Sequence, residues 1–245
     1  MRGSRKHILD WVKQSCFVKE LNDLLHSTNV VVDAESDHWM PNANDPTEAR
    51  LECEEGKRLL PNGDFADQLA RWWLVHPRGA NTPNWDLAAS CTIRGRKGLV
   101  LVEAKAHKGE LDWGSKALDR NASPDSKENH QRIGEAIEEA RHYLNQVLGG
   151  TVAISRDDRY QFSNRVAYAW ELASLGVPVV LVYLGFIGDE YFNSDYFRDA
   201  NHWRRAMGDY MQDLVPHSLP DMEVDCGQAT FRLIISSRKV LQISS

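Results

Sequence analysis

The sequence predicts an α/β protein with a central mixed β-sheet flanked by helices, and three of its features predict this. Gly98-Leu99-Val100-Leu101-Val102-Glu103-Ala104-Lys105-Ala106 places four apolar residues in a row after a glycine, the pattern of a buried strand. Val177-Pro178-Val179-Val180-Leu181-Val182-Tyr183-Leu184-Gly185-Phe186 is a longer, nearly unbroken apolar run, as expected of a central strand covered on both faces. Segments of helical periodicity lie between the two. Strand–helix–strand order requires a crossover connection, and so parallel pairing within a mixed sheet.

The elements follow in order along the chain. From Ile8 to about Leu25, apolar residues recur at helical spacing (Ile8, Trp11, Val12, Leu21, Leu24, Leu25), so one or two helices are expected. Residues 29–46 are polar and turn-rich, with Pro41-Asn42 and Asp45-Pro46 as breakers. A helix is expected from Thr47 through Leu59-Leu60, with Glu48 near its start as a favourable charge. Gly63-Asp64 leads into another, Phe65 to Val75, whose apolar side is Leu69, Trp72 and Trp73. Residues 77–83 read as a loop, and a hairpin follows, with Arg94-Gly95-Arg96-Lys97-Gly98 as its turn.

Beyond the hairpin, residues 109–126 are irregular and polar, suited to a lid or a loop facing a substrate. A helix runs from Asn129 to Leu148 and ends at Gly149-Gly150. The next, about Ser163 to Leu175, stops at Gly176 and feeds the central strand. Residues 189–214 carry Tyr191, Phe192, Tyr196, Phe197, Trp203 and Tyr210. These rings suit stacking on nucleobases, but packing is the more general use of such a stripe. Residues 231–235 and 240–243 read as a terminal pair of strands.

The chemistry concentrates at one strand end. Glu103 and Lys105 are two apart on a strand, so both project to the face that carries Leu99 and Leu101. A carboxylate and an ammonium at the end of a core strand are costly unless paired or put to use. Asn84-Trp85-Asp86-Leu87-Ala88-Ala89 supplies a second carboxylate at the start of the partner strand. Asp86 lies 17 residues before Glu103, a spacing that a hairpin closes. Two carboxylates can hold Mg²⁺ or Mn²⁺ through hard oxygens. A neighbouring lysine can orient water or neutralise phosphate.

Asp86, Glu103-Ala104-Lys105 and the hairpin between them resemble the D…(D/E)-x-K motif of the PD-(D/E)XK nuclease superfamily. The resemblance departs in one place, where Trp85 stands for the proline of the family name. It implies a restriction-endonuclease-like core and a metal-dependent nuclease acting on nucleic acid, with DNA the expected substrate. It assigns the catalytic roles to Asp86, Glu103 and Lys105, and the Mg²⁺ (or Mn²⁺) ligands to Asp86, Glu103 and the backbone carbonyl of Ala104. Several branches of the superfamily border the site with a glutamine on a helix after the motif strand, which Gln131 fits, although a solvated helix face explains Gln131 as well. Such nucleases often add an acid from an upstream helix. Glu48, Glu52, Glu55, Asp64 and Asp67 are candidates, and Asp67, nearest in sequence to Asp86, is preferred.

Composition frames this reading. The 245 residues suit a single α/β domain, with a helical N-terminal part, residues 1–62, packed on the core. Apolar residues at 42% and charged residues at 26% are those of a soluble globular protein. No apolar run approaches a membrane span, and the basic N-terminus lacks the apolar stretch of a signal peptide. Cys16, Cys53, Cys91 and Cys226 are too scattered for a zinc site and too few for a disulfide scaffold, which points to the cytoplasm. A net charge of −6 argues against indiscriminate coating of nucleic acid. Local positive charge is still available at Arg94, Arg96 and Lys97, at Lys105 to Lys108, and at Arg204-Arg205. A homodimer is compatible with the sequence. The competing reading is a catalytically inactive nuclease fold that binds nucleic acid or another partner. A Ser or Cys hydrolase is disfavoured, because no Gly-x-Ser-x-Gly elbow is present.

Overall fold

A computed structural model describes residues 2–77, 80, 82–149 and 151–241. Its first half comprises α1 (Ser4–Val12), α2 (Phe17–Leu25), β1 (Val30–Val31), β2 (Trp39–Met40), α3 (Glu54–Lys57), α4 (Asp64–Trp73), β3 (Leu87–Ile93) and β4 (Arg96–Lys105). The second half comprises α5 (Pro124–Leu148), α6 (Tyr160–Ser174), β5 (Val179–Ile187), α7 (Ala200–Met211), β6 (Glu223–Asp225) and β7 (Thr230–Lys239). The seven strands form one mixed sheet in the order β1-β3-β4-β5-β7-β6, with β2 also on β3. β4 pairs parallel to β5 and β5 parallel to β7, while the remaining pairs are antiparallel. The α/β architecture with helices on both sides of a mixed sheet is the one the sequence predicts.

The hairpin is tighter than the five-residue turn expected. Ile93 pairs directly with Arg96, leaving Arg94 (φ 49°) and Gly95 (φ 81°) as the two linking residues. Two successive left-handed residues match the twist of the flanking strands. The basic residues here serve the fold. Arg94 makes a two-pronged bond to Glu223 at 2.8 and 2.7 Å, Arg96 donates to the carbonyls of Gln228 and Gly176, and Lys97 pairs with the buried Asp37.

Alternation along β4 sends its residues into two separate apolar layers. Val100, Val102, Ala104 and Ala106 face α1 and α2, meeting Ile8, Trp11, Phe17 and Leu21. Leu99 and Leu101 face the other layer, built from α4, α5, α6 and α7. β5 is buried at every position, as its unbroken apolar run requires. Gly185 is needed at its place, because a Cβ there would lie 2.4 Å from the Trp203 ring. Trp203, Phe197 and Tyr210 are buried in this layer, so the aromatic stripe of residues 189–214 is mainly packing. Tyr191 is the exception at 56% exposed.

Four expectations are corrected. The helix from Thr47 to Leu60 shrinks to α3: Ala49 and Trp85 exchange backbone hydrogen bonds at 3.1 and 2.9 Å instead, and Gly56 sits where a Cβ would meet the Arg50 carbonyl. The turn-rich residues 29–46 contribute β1 and β2, too short to leave a periodic trace. α5 begins at Pro124, not at Asn129, because Ser123 caps it by accepting from the Ser126 amide and proline is tolerated in the first turn. The terminal strand pair becomes one long β7 with β6 before it, and residues 242 and 243 lie outside those described, as does Gly150. Within residues 1–62, α1 and α2 cover one face of the sheet, while Ala49, Leu51, Leu59 and Leu60 join the core on the other.

Candidate active site

Pairing through Leu87 and Val102 sets Asp86 beside Glu103 at the end of the hairpin. The Asp86 carboxylate is fixed there by backbone, its Oδ2 accepting from the Ala104 amide at 2.8 Å. Glu103 and Lys105 project from the same face of β4, beyond Leu99 and Leu101, as alternation requires. Lys105 Nζ donates to Glu103 Oε1 at 2.6 Å. The structure therefore brings the three predicted side chains together. Glu103 and Lys105 are 1% and 4% exposed, whereas Asp86 is half-buried.

Two further residues complete the cluster, both from α6. Gln161 Oε1 accepts from Lys105 Nζ at 2.7 Å. One turn on, Arg165 Nε donates to Glu103 Oε2 at 2.7 Å and its Nη1 to Asn164 Oδ1 at 2.7 Å. The guanidinium lies 4.7 Å from the centre of the Trp85 ring. Trp85 is thus a platform for this arginine. Arg165 and Gln161 escape a reading based on periodicity because α6 is buried almost all round. The available signal was Arg165 directly ahead of the apolar run Val166-Ala167-Tyr168-Ala169-Trp170, since a buried arginine needs a buried anion.

The electrostatics divide the two carboxylates. Burial and the Glu103 charge push the Asp86 carboxyl up to about 7, against the pull of the Ala104 amide and the two cations. Burial would raise Glu103 as well, but Arg165 and Lys105 outweigh it and hold its carboxyl below the usual range. Asp86 and Glu103 are two groups of one kind driven in opposite directions, an arrangement found where acid and base roles are separated. The Tyr183 hydroxyl, in register with Glu103 on β5, is buried without a hydrogen-bond partner. Burial and the nearby Glu103 raise its pKa well above the ordinary phenol value.

Other sequence candidates lie elsewhere. Gln131 donates to Glu135 on the exposed face of α5 at 2.9 Å, so the glutamine at the cluster is Gln161 rather than Gln131. Asp67 is exposed and 3.7 Å from Lys57. Among the upstream acids, Glu52 bonds Thr82 Oγ1 and its charge is felt at Tyr168, one turn beyond Arg165 on α6. Ala104 enters the site through its amide.

No group of three or more His, Cys, Asp or Glu suited to a metal occurs among the described residues. The pair of Asp86 and Glu103 is nonetheless a hard-oxygen donor set of the kind Mg²⁺ accepts, since Mg²⁺ keeps several waters and takes only one or two carboxylates from protein. Asp86 Oδ1 has no hydrogen bond among the described residues, so one carboxylate oxygen remains available. No protein family, curated protein or solved structure matches the chain. No helix among the described residues is long and apolar enough to cross a membrane.

Proposed function

We propose that the protein is a metal-dependent nuclease with a restriction-endonuclease-like core that hydrolyses phosphodiester bonds in DNA. The observation that carries this reading is the convergence of Asp86, Glu103 and Lys105 on one face at the end of a hairpin, with Lys105 fixed between two oxygens. Asp86, Glu103 and the Ala104 carbonyl would hold Mg²⁺ or Mn²⁺. When bound, that ion lowers the pKa of its water and stabilises the charge that develops on phosphorus. Lys105 contributes a positioned ammonium: Glu103 at 2.6 Å and Gln161 at 2.7 Å leave it little freedom, so it can orient an attacking water or counter the phosphate without reorganising. Without the ion, Asp86, with its carboxyl raised to about 7, can hold a proton at Oδ1 while Oδ2 stays on the Ala104 amide, and that proton must leave before Oδ1 can serve as a ligand.

One observation favours a second reading, a non-catalytic interaction module. Both oxygens of Glu103 are occupied by cations and the side chain is sealed from solvent. Cleavage of labelled single- and double-stranded DNA and RNA in Mg²⁺ and Mn²⁺ decides between them. The nuclease reading expects cleavage that disappears in EDTA and in Asp86→Asn. It is wrong if the unmodified chain cleaves nothing, or if Asp86→Asn cleaves as well.

A further inference from the structure

Glu103 carries one more cation than a carboxylate needs. Lys105 already meets Oε1 at 2.6 Å, yet Arg165, only 7% exposed, is bound to Oε2 at 2.7 Å. Burying a second ammonium-sized charge is costly unless another anion answers it. Asp86 is the nearest candidate, but its one hydrogen bond is to the Ala104 amide. With Asp86 and Glu103 ionised, the two cations only bring the cluster to neutrality.

The guanidinium is also incompletely used. Nε serves Glu103 and Nη1 serves Asn164, while Nη2 has no hydrogen bond among the described residues. The plane is held by the Trp85 ring at 4.7 Å, a contact that favours a cation over aromatic carbon. Asn164 is itself buried, so the fork is fixed from two sides. A planar fork with one open donor edge, set on an aromatic platform and next to a second cation, matches the geometry that takes an oxygen of a phosphate group. Lysine alone would supply a point charge without that direction.

We propose that Arg165, seated on Trp85, is a phosphate-binding residue, so that the site grips its phosphodiester with an arginine–lysine pair. This rests on the nuclease reading for the identity of the ligand, though not for the presence of the anion site. Trp85 then has a purpose in this chain: the proline of the family motif could not support a guanidinium.

Binding without turnover tests it. In an Asp86→Asn background, a fluorescein-labelled DNA oligonucleotide, single-stranded or duplex, is titrated in EDTA and followed by anisotropy at several salt concentrations. Arg165→Gln should weaken binding about tenfold and reduce the salt slope by about one phosphate contact. Arg165→Lys should keep the slope yet bind several-fold more weakly, since charge remains and the fork is lost. Trp85→Leu should weaken binding in the same direction with the slope unchanged. An unchanged affinity and slope in Arg165→Gln overturns the proposal, even where the unmodified chain cleaves DNA. Should Arg165→Gln fail to fold, an unchanged affinity in Arg165→Lys does the same. Arg165-dependent binding by a chain that cleaves nothing would leave the anion site standing and remove the nuclease reading. If the Asp86→Asn chain binds no oligonucleotide, both fall.

Discussion

Neighbouring residues of β4 live in different chemistry. Val100, Val102 and Ala104 enter the layer under α1 and α2, where they join an apolar cluster of Ile8, Trp11, Phe17 and Leu21. Glu103 and Lys105 enter the layer under α6, where they bond Arg165 and Gln161 and where Glu103 repels the Asp86 carboxylate just ahead of β3. One strand therefore anchors the sheet with its even-numbered residues and carries a charged cluster with the odd-numbered ones. The apolar face can hold the backbone rigid because nothing on it requires hydration. The charged face can keep ions nearly dry because that backbone positions each partner to within a hydrogen bond. The contrast predicts that substitutions on the two faces fail in different ways.

Glu103→Gln should show the largest effect. It removes the anion shared by Lys105 and Arg165, leaving two buried cations without a full countercharge, and should cost about 3 kcal/mol in stability. Cleavage should vanish in the fraction that remains folded. Urea unfolding combined with single-turnover assays checks both. A stable and fully active Glu103→Gln would remove the charged face from function altogether.

Val102→Ala, one residue away and on the other face, should cost about 2 kcal/mol through lost apolar contact and the cavity left behind. Its turnover per folded molecule should match the parent. A fall in turnover with stability intact would mean that the α1–α2 layer shapes the site directly, and the division between faces would have to be abandoned.

Metal comes next. A ligand that binds only the native state stabilises it by mass action, about 1.4 kcal/mol at ten times its Kd. Mn²⁺ should therefore raise the melting temperature of the parent chain by a few degrees, and Asp86→Ala should not respond. An equal shift in that variant would place the ion away from Asp86. Because the ion must share Glu103 with two resident cations, the shift should also be larger in Arg165→Gln if that variant folds.

How far these faces were legible in the sequence follows from their periodicity. A strand alternates with period two, so the placement of Glu103 and Lys105 opposite Val102 and Ala104 needs no tertiary information. The link from Asp86 needed only the hairpin, which the Gly95 turn signals. Gln161 and Arg165 were not legible, because their partners lie 56 and 62 residues away and their helix is buried on nearly all sides. Gln131 fits the resemblance because it lies on the first long helix after the strand, but that helix turns it to solvent beside Glu135. The false helix at Thr47–Leu60 has a similar origin: the bridge between Ala49 and Trp85 is a long-range pairing that overrides local propensity.

The smallest expected effect concerns pH and separates the two carboxylates most sharply. Burial and the Glu103 charge raise the Asp86 carboxyl to about 7 in the folded chain, against about 3.9 when unfolded. The native state then holds a proton that the unfolded state has released, so acid favours folding between these values. As pH rises through the native value, this contribution disappears. In EDTA, stability of the parent should fall by about 1 kcal/mol from pH 6 to pH 8 on account of this group. Asp86→Asn abolishes the titration and the repulsion, so its stability should be flat over that interval and equal to or above the parent at pH 8. Glu103, whose carboxyl is held below the usual range by its two cations, adds nothing in this interval, since it is ionised in both states throughout. Chemical denaturation at pH 6, 7 and 8 measures the slope. If Asp86→Asn keeps the parent slope, the proton resides elsewhere, and if it unfolds instead, the bond from Ala104 to the Asp86 carboxylate is a structural tie.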